Sequence, residues 1–176
     1  MPADRHALVQ LHSDIDFRVA DVRALHPDWL CAKGCATCCR RLADVPQLTA
    51  AEWALLQEGL AALSPQRLQE VTAAMATLGV SPARPVTCPL LDPATDACLV
   101  YVHRPVACRS YGFYAQRDKG MYCHDIEARV AEGQLDDVMW GNHDAIDQRL
   151  ARLGESRALT ALFTEWQQTM DNTAPC

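Results

Sequence analysis

Four cysteines stand within nine residues of this 176-residue chain, and four more follow singly between residues 88 and 123. So many thiols constrain the local fold, because each side chain needs a metal, a disulfide partner or an apolar pocket. Soft-metal ligation, a disulfide scaffold and buried free thiols are the open interpretations, and the density of the thiols favours ligation. The predicted ligands are Cys31, Cys35, Cys38, Cys39, Cys88, Cys98, Cys108 and Cys123.

The composition predicts one globular domain over residues 1–176. Hydrophobic residues make up 49% of the chain, and the formal net charge is −6. The chain opens without a basic segment leading into an apolar run, and no stretch approaches the roughly 18 apolar residues of a membrane helix. We therefore expect a cytoplasmic protein that does not enter a membrane. The acidic balance argues against nucleic acid as a partner, because binding phosphates needs clustered Lys and Arg.

Hydrophobic periodicity predicts helices at both ends of the chain. An apolar stripe at three- and four-residue steps indicates an N-terminal helix over residues 4–25. Further helical patterning predicts C-terminal helices over about residues 142–170, with Asn142 as an N-cap and His143 exposed in the first turn. The N-terminal stripe consists of Leu8, Leu11, Ile15, Val19, Val22 and Leu25.

Two more helices are predicted between the cysteine groups. Thr49 and Glu52 form a capping-box pattern that starts a helix reaching about residue 62. Ser64 is a second N-cap, and Gly79 is the expected stop of the helix that follows. We expect these two helices to form an antiparallel hairpin that brings the two groups of cysteines together.

Residues 80–123 are expected to be irregular, because prolines interrupt their short apolar pieces. The turn-rich residues 92–96 predict a short β-hairpin with Cys88 and Cys98 near each other. Pro105 favours the first position of a helical turn, which would place Cys108 near amide dipoles that stabilise a thiolate. The expected fold is therefore mainly α, a small helical domain with an irregular cysteine-rich metal-binding segment over about residues 31–124 and a short β-hairpin.

The order of the cysteine motifs resembles a known family. The motifs are Cys31-x3-Cys35-x2-Cys38-Cys39, Cys88-Pro89-x-Leu91, Cys98-x2-Tyr101-x2-Arg104-Pro105-x2-Cys108-Arg109 and finally Cys123. This order is similar to that of the YkgJ-type cysteine-cluster family, described as zinc- or iron-chelating proteins. The chain departs from the family label at its first spacing, which has three residues where the label has two. The resemblance spans residues 31–123 and implies a bound metal centre.

Eight cysteines supply two sets of four thiolates, which suits zinc or an iron–sulfur cluster. Two mononuclear sites and one polynuclear cluster are both possible, and adjacent Cys38 and Cys39 should face different metal atoms. His103 and His124 are alternative ligands. Cys176, at the chain terminus, is expected not to bind metal. The arginines predicted to support the thiolates are Arg40, Arg41, Arg104 and Arg109.

Aromatic residues between Cys108 and Cys123 are predicted to shield the metal from water or, alternatively, to form a partner surface. They are Tyr111, Phe113, Tyr114 and Tyr122, with Met121 beside them.

No nucleotide-binding loop, dinucleotide fingerprint, zinc-protease motif or nucleophile elbow is present. This favours a metal-binding protein with a structural or metal-handling role. The alternative is an iron–sulfur enzyme or electron-transfer protein, including one that modifies proteins. The spacing from Cys31 to Cys38 is similar to that of radical S-adenosylmethionine enzymes, and the whole signature is similar to that of flagellin lysine methylases. Substrate, protein partner and oligomeric state stay open.

Overall fold

The computed structural model describes residues 2–80, 84–117 and 119–173, and Cys176 lies outside them. The described chain is mainly α-helical, as predicted. Its helices are α1 (Pro2–Leu25), α2 (Thr37–Arg40), α3 (Ala50–Ala61), α4 (Pro65–Val80), α5 (Val106–Ser110), α6 (His124–Ala131), α7 (His143–Ala151) and α8 (Leu159–Thr173), with a 3-10 turn at Tyr101–His103. Its strands are β1 (Gln47–Thr49), β2 (Leu91–Asp92), β3 (Ala97–Cys98), β4 (Tyr114–Gln116), β5 (Lys119–Gly120), β6 (Gly141–Asn142) and β7 (Ser156–Ala158).

Helix α1 confirms the predicted N-terminal helix and buries most of its apolar stripe. Leu8, Leu11 and Ile15 are at most 1% exposed, and Val22 is 6% exposed. Leu25, predicted to continue the stripe, is 78% exposed. The helix ends at this residue, and Pro27 follows two positions later, so no further turn carries Leu25 onto the core.

Helix α3 begins as predicted, with a reciprocal cap. The Glu52 amide donates to Thr49 Oγ1 at 3.3 Å, and the Thr49 amide donates to Glu52 Oε2 at 2.9 Å. At the start of α4 the Arg67 amide donates to Ser64 Oγ at 3.3 Å. Gly79 does not stop α4, which continues to Val80. A glycine ends a helix by taking a positive φ, and Gly79 is not among the residues with one.

The strands are short and join distant parts of the chain. Strands β2 and β3 pair antiparallel, with Leu91 opposite Cys98, and the carboxylate of Asp92 accepts from the Ala94 amide at 3.1 Å in the turn between them. Strand β1 pairs antiparallel with β7, and β4 pairs with both β5 and β6. These pairings tie the C-terminal segment back to the middle of the chain.

The start of α7 differs in part from the expectation. Asn142 Oδ1 accepts from the Ala145 amide at 3.2 Å, so the predicted N-cap is present. The predicted exposure of His143 is wrong, because its side chain is only 12% exposed and its Nδ1 lies 3.2 Å from Asp147 Oδ2. The pairing of β6 with β4 draws this first turn against the body of the protein.

The buried side chains form two clusters, which we call the first core and the second core. Trp29 is stacked on Phe113 in the first core with ring centres 5.7 Å apart, and it lies 5.6 Å from Trp140. Trp53 and Trp166 make an edge contact at 6.2 Å at the second core. The first core contains Leu8, Leu11, Ile15, Val22, Trp29, Val106, Phe113, Tyr114, Cys123, Ile126, Leu135, Val138 and Ile146. The second contains Leu48, Trp53, Leu56, Leu60, Val71, Met75, Leu90, Val100, Leu159, Leu162 and Phe163.

The two helices that were predicted to form a hairpin share the second core. Helices α3 and α4 both contribute to it, and α4 packs on α8, where Gln167 Nε2 donates to Thr72 Oγ1 at 3.0 Å. Within the three described ranges, every helix is too short or too polar to cross a bilayer.

Candidate metal centre

All eight predicted cysteines line one cavity of about 340 Å³. The cavity reaches both cores, since Phe113 of the first core and Leu56 and Leu90 of the second also line it. Each of the eight is a free thiol, so the disulfide-scaffold interpretation is wrong for this set. The structure brings together two groups of cysteines that lie about 50 residues apart in the sequence.

The first four cysteines are placed by the loop that follows α1. Arg23, in the last turn of that helix, donates to the Cys31 carbonyl from Nε at 3.1 Å and from a terminal nitrogen at 2.6 Å. Gly34 takes a φ of 93° where the loop reverses, a conformation that favours glycine. Helix α2 then carries Cys38 and Cys39 in one turn, with their Sγ atoms 4.0 Å apart.

The second segment is held against this loop by its backbone. The Cys88 amide donates to the Cys39 carbonyl at 2.7 Å, and Leu42 and Val86 form a bridge beside it. Cys98 lies in β3, within reach of the same cavity.

Cys108 lies in the single turn of α5. Its amide donates to the Pro105 carbonyl at 3.0 Å. The sequence predicts Pro105 as the first helical residue of this turn. In the structure Pro105 is instead the N-cap, one position earlier. The Val106 amide, which opens the turn, donates to the buried carboxylate of Glu52 at 3.0 Å. The position of Cys108 is therefore tied to the start of α3.

Burial dominates the electrostatics of the thiols. It raises the pKa of Cys31 to about 12, and the neighbouring charges of Cys123, Cys35 and Cys38 add to the rise. Burial also raises the pKa of Cys108 to about 12, so the predicted stabilisation of its thiolate does not result in a lowered pKa. A turn of five residues offers few aligned amides, and the desolvation of a thiolate outweighs them.

The donor set fits zinc or iron, because both take four thiolates in tetrahedral geometry. Among the described residues, however, no three Cys, His, Asp or Glu side chains converge on one point. The thiols share a cavity without closing a ligand sphere around it.

The predicted arginines differ in their positions. Arg104 acts on the thiols, since its charge lowers the pKa of Cys98 and Cys108 against the opposing effect of burial. Its guanidinium lies 3.6 Å from the centre of the Tyr101 ring.

Arg109 also lines the cavity, but its guanidinium pairs with Asp16 of α1 at 2.8 Å and its side chain is only 8% exposed. It therefore joins α5 to α1. Arg41 also lines the cavity, whereas Arg40 pairs with Asp96 at the surface.

The histidine alternatives are not supported by position. His103 packs against Gly59 of α3, where an added Cβ would lie 2.8 Å from its Nδ1. His124 is 65% exposed and lies 3.0 Å from an Asp125 oxygen. Neither residue is among those that line the cavity.

Only part of the predicted aromatic group reaches the thiols. Tyr111 and Phe113 line the cavity, and burial together with the charges of Cys123, Cys38 and Cys31 raises the pKa of Tyr111 to about 12. Tyr122 instead packs on Trp140, with ring centres 5.0 Å apart. Tyr114 covers Gly141, at which an added Cβ would overlap its ring.

Sequence reasoning missed three residues of the site. Arg23 holds the Cys31 carbonyl, and Glu52 holds the turn that carries Cys108. Tyr101 lies between Arg104 and Lys33, whose Nζ is 5.6 Å from the ring centre. Tyr101 stood in the motif that carried the family resemblance and could have been singled out there. Nothing in the local sequence connects Arg23 or Glu52 with a distant cysteine.

The chain matches a known family model over more than half of its length. The family model CxxCxxCC, described as "Putative zinc- or iron-chelating domain", matches residues 30–134, which include all eight cysteines that line the cavity. No curated protein and no solved structure matches the chain.

Proposed function

The chain belongs to the CxxCxxCC family of zinc- or iron-chelating domains, and from this premise we propose that Cys31, Cys35, Cys38, Cys39, Cys88, Cys98, Cys108 and Cys123 bind the metal. We further propose that the bound metal has a structural or metal-handling role. Thiols stay reduced in the cytoplasm, which is the compartment we propose for the protein.

One observation carries this proposal: eight free thiols from distant segments line one cavity that reaches both cores. Apart from its cysteines, the segment from Cys31 to Cys39 buries little side-chain surface, since Ala36 is its only buried residue. Structural zinc contributes about 10–16 kcal/mol to the folding of zinc-finger peptides, so a metal bound here would stabilise the contact between the segments substantially.

The size of the cavity favours a second candidate, an iron–sulfur protein with an electron-transfer or enzymatic role. About 340 Å³ is more space than one metal ion fills, and a polynuclear cluster held by cysteines would use it. Radical S-adenosylmethionine chemistry receives no support from the fold, because the described strands form only two- and three-stranded sheets and no barrel.

Elemental analysis of protein purified without oxygen separates these candidates. We expect zinc or iron in near-integral amounts per chain. Iron with matching acid-labile sulfide and absorption that bleaches on reduction would select the iron–sulfur candidate, and colourless zinc protein would select the first. Folded protein that takes up neither metal when each is supplied would contradict both.

A further inference from the structure

We propose that the cysteine cavity receives its metal as an anionic chelate, in which a small polycarboxylate carries the ion and is recognised by basic side chains around the thiols. This proposal rests on the proposed metal-handling role and names the chemical form of the cargo. Its support is the arrangement of fixed charges at the cavity.

Every carboxylate among the described residues that line the cavity is paired with an arginine. Three aspartates line it, and each lies within salt-bridge distance of a guanidinium. These carboxylates therefore contribute no unbalanced negative charge to the cavity. The pairs are Asp16 with Arg109 at 2.8 Å, Asp44 with Arg84 at 3.0 Å, and Asp96 with Arg40.

Three other arginines line the cavity, and within the described chain none of them has a carboxylate partner. They belong to the last turn of α1, the residue after α2 and the residue after the 3-10 turn. Lys33 is exposed and lies at the edge, since both of its neighbours in the sequence line the cavity. We call these four cations the basic rim, on a chain whose net charge is −6. The basic rim consists of Arg23, Lys33, Arg41 and Arg104.

Two cations of the basic rim lie against one aromatic ring. Arg104 Cζ is 3.6 Å from the centre of the Tyr101 ring, and Lys33 Nζ is 5.6 Å from the same centre. The face of an aromatic ring attracts a cation, but two like charges this close also repel each other. An anion bound beside the ring would offset that repulsion. Tyr101 therefore marks the place where the basic rim would hold an anion best.

Arg104 is held in a position suited to bind a carboxylate. Its Nε donates to the Tyr101 carbonyl at 2.8 Å, and the contact with the ring also restricts the side chain. Within the described chain this is the only hydrogen bond that its guanidinium donates, so both terminal nitrogens are available. A guanidinium can bind a carboxylate through two parallel hydrogen bonds, and a fixed one loses less entropy when it does so.

A basic rim is a poor entrance for a bare divalent cation. Its four positive charges repel such an ion and attract an anionic complex of the same metal. Exposed residues, including Gly34 and Arg41, line the cavity, so it is open to solvent. A volume of about 340 Å³ is in the range of pockets that hold small organic ligands. The charge and the space both favour a small anionic chelate as the cargo.

Transfer from such a chelate is an exchange of ligands. The bonds from the metal to carboxylate oxygens break as bonds to cysteine sulfurs form, and thiolates are the softer donors that zinc prefers. The thiols release their protons to water, and the metal keeps its oxidation state. The freed polycarboxylate leaves to solvent.

The test measures how fast the reduced full chain takes up zinc from zinc citrate in excess citrate and from zinc ion in a buffer that does not bind it. Uptake from zinc citrate should slow by about fivefold between roughly 20 and 200 mM salt, because salt screens the attraction. Uptake of zinc ion should become faster over the same range. Uptake from zinc citrate that is independent of salt, or uptake of zinc ion that salt slows, would overturn the proposal. A chain that takes up zinc from neither source would contradict the proposed function itself.

A double variant tests the basic rim directly. Lys33→Gln combined with Arg104→Gln should slow uptake from zinc citrate by about fivefold at low salt and remove most of the salt dependence. Lys119→Gln combined with Arg152→Gln is the matched control. It removes two exposed positive charges that do not line the cavity, and it should leave the rate unchanged. Equal rates in the two double variants would overturn the proposal.

A conservative variant separates the charge from the shape of the guanidinium and guards against a folding failure of the glutamine variants. Arg104→Lys keeps the positive charge, so uptake from zinc citrate should keep its salt dependence. It loses the planar fork, so citrate alone should bind the metal-free chain more weakly than it binds the unaltered one, as calorimetry can measure. Citrate that does not bind the unaltered chain, or binds both chains equally, would count against recognition by Arg104.

Discussion

Glu52 connects two helices through one buried carboxylate, so its loss should destabilise the protein more than the loss of an ordinary helix cap. Glu52 is only 2% exposed. Its Oε2 accepts from the Thr49 amide at 2.9 Å and from Thr49 Oγ1 at 3.0 Å, and its Oε1 accepts from the Val106 amide at 3.0 Å. Replacement by alanine leaves three donors without this acceptor.

The magnitude follows from those three bonds. A buried donor left unsatisfied costs about 1–3 kcal/mol, so Glu52→Ala should lower the free energy of unfolding by about 4 kcal/mol. Glu52→Gln should lower it by about 2 kcal/mol, because the NH2 group of glutamine replaces one carboxylate oxygen and so faces either the donors of Thr49 or the Val106 amide, with no acceptor there. Thr49→Ala is the matched control. It removes the cap of α3 for about 1 kcal/mol and leaves the bond to Val106 in place.

Urea denaturation of the metal-free chain under reducing conditions, followed by circular dichroism, measures these differences. Metal-loaded samples then report on α5, because Val106 begins the turn that holds Cys108. We expect Glu52→Ala to release zinc to a chelator faster than Thr49→Ala does. A Glu52→Ala variant no less stable than Thr49→Ala would refute the link between the helices.

The other predictions concern pH and metal. Burial, followed by the charge of Arg109, lowers the pKa of His12 from 6.5 to about 4. Between these two pH values His12 is protonated in the unfolded chain but neutral in the folded one. The stability that neutral, buried His12 contributes is therefore present in full above pH 6.5, and about 3 kcal/mol of it is lost as the pH falls towards 4. His12→Leu should flatten the slope of unfolding free energy over that window, and an unchanged slope would contradict the prediction. Because the pKa values of Cys31 and Cys108 are raised to about 12, metal uptake at pH 7 should release about one proton per ligating thiol, which an indicator in weak buffer can count. Affinity should therefore fall as the pH falls, and uptake without proton release would count against thiolate ligation. Cys108→Ser should lower both metal content and stability, whereas Cys176→Ser should change neither, as elemental analysis and urea denaturation of the two variants can check.

Local patterns in the sequence predicted the local structure well. The stripe from Leu8 to Val22 and the cap formed by Thr49 and Glu52 both appear in the structure, because each depends on residues three or four positions apart. The exposure predicted for His143 is wrong because a tertiary contact decides it, since the pairing of β6 with β4 draws the residue inward. The stop predicted at Gly79 falls one residue before the end of α4 at Val80, a displacement that is ordinary for helix boundaries.

The site could be predicted only as a set of residue types. Thiol chemistry and spacing select the eight cysteines, and the cavity collects all of them. Cys31 and Cys123 lie at the first core and Cys88 and Cys98 at the second because of tertiary packing, which no local pattern encodes. The roles of Arg23 and Glu52 are likewise tertiary, since each acts on a backbone group across a turn or a core.

The tryptophans give this protein two optical reporters, one on each core. Trp29 and Trp140 lie close together in the first core, and Trp29 is stacked on Phe113, which lines the cavity. Trp53 and Trp166 form the corresponding pair at the second core. Replacing one pair by phenylalanine would leave a fluorescence signal from the other core alone, so the two halves of the molecule can be observed separately as metal is added or removed.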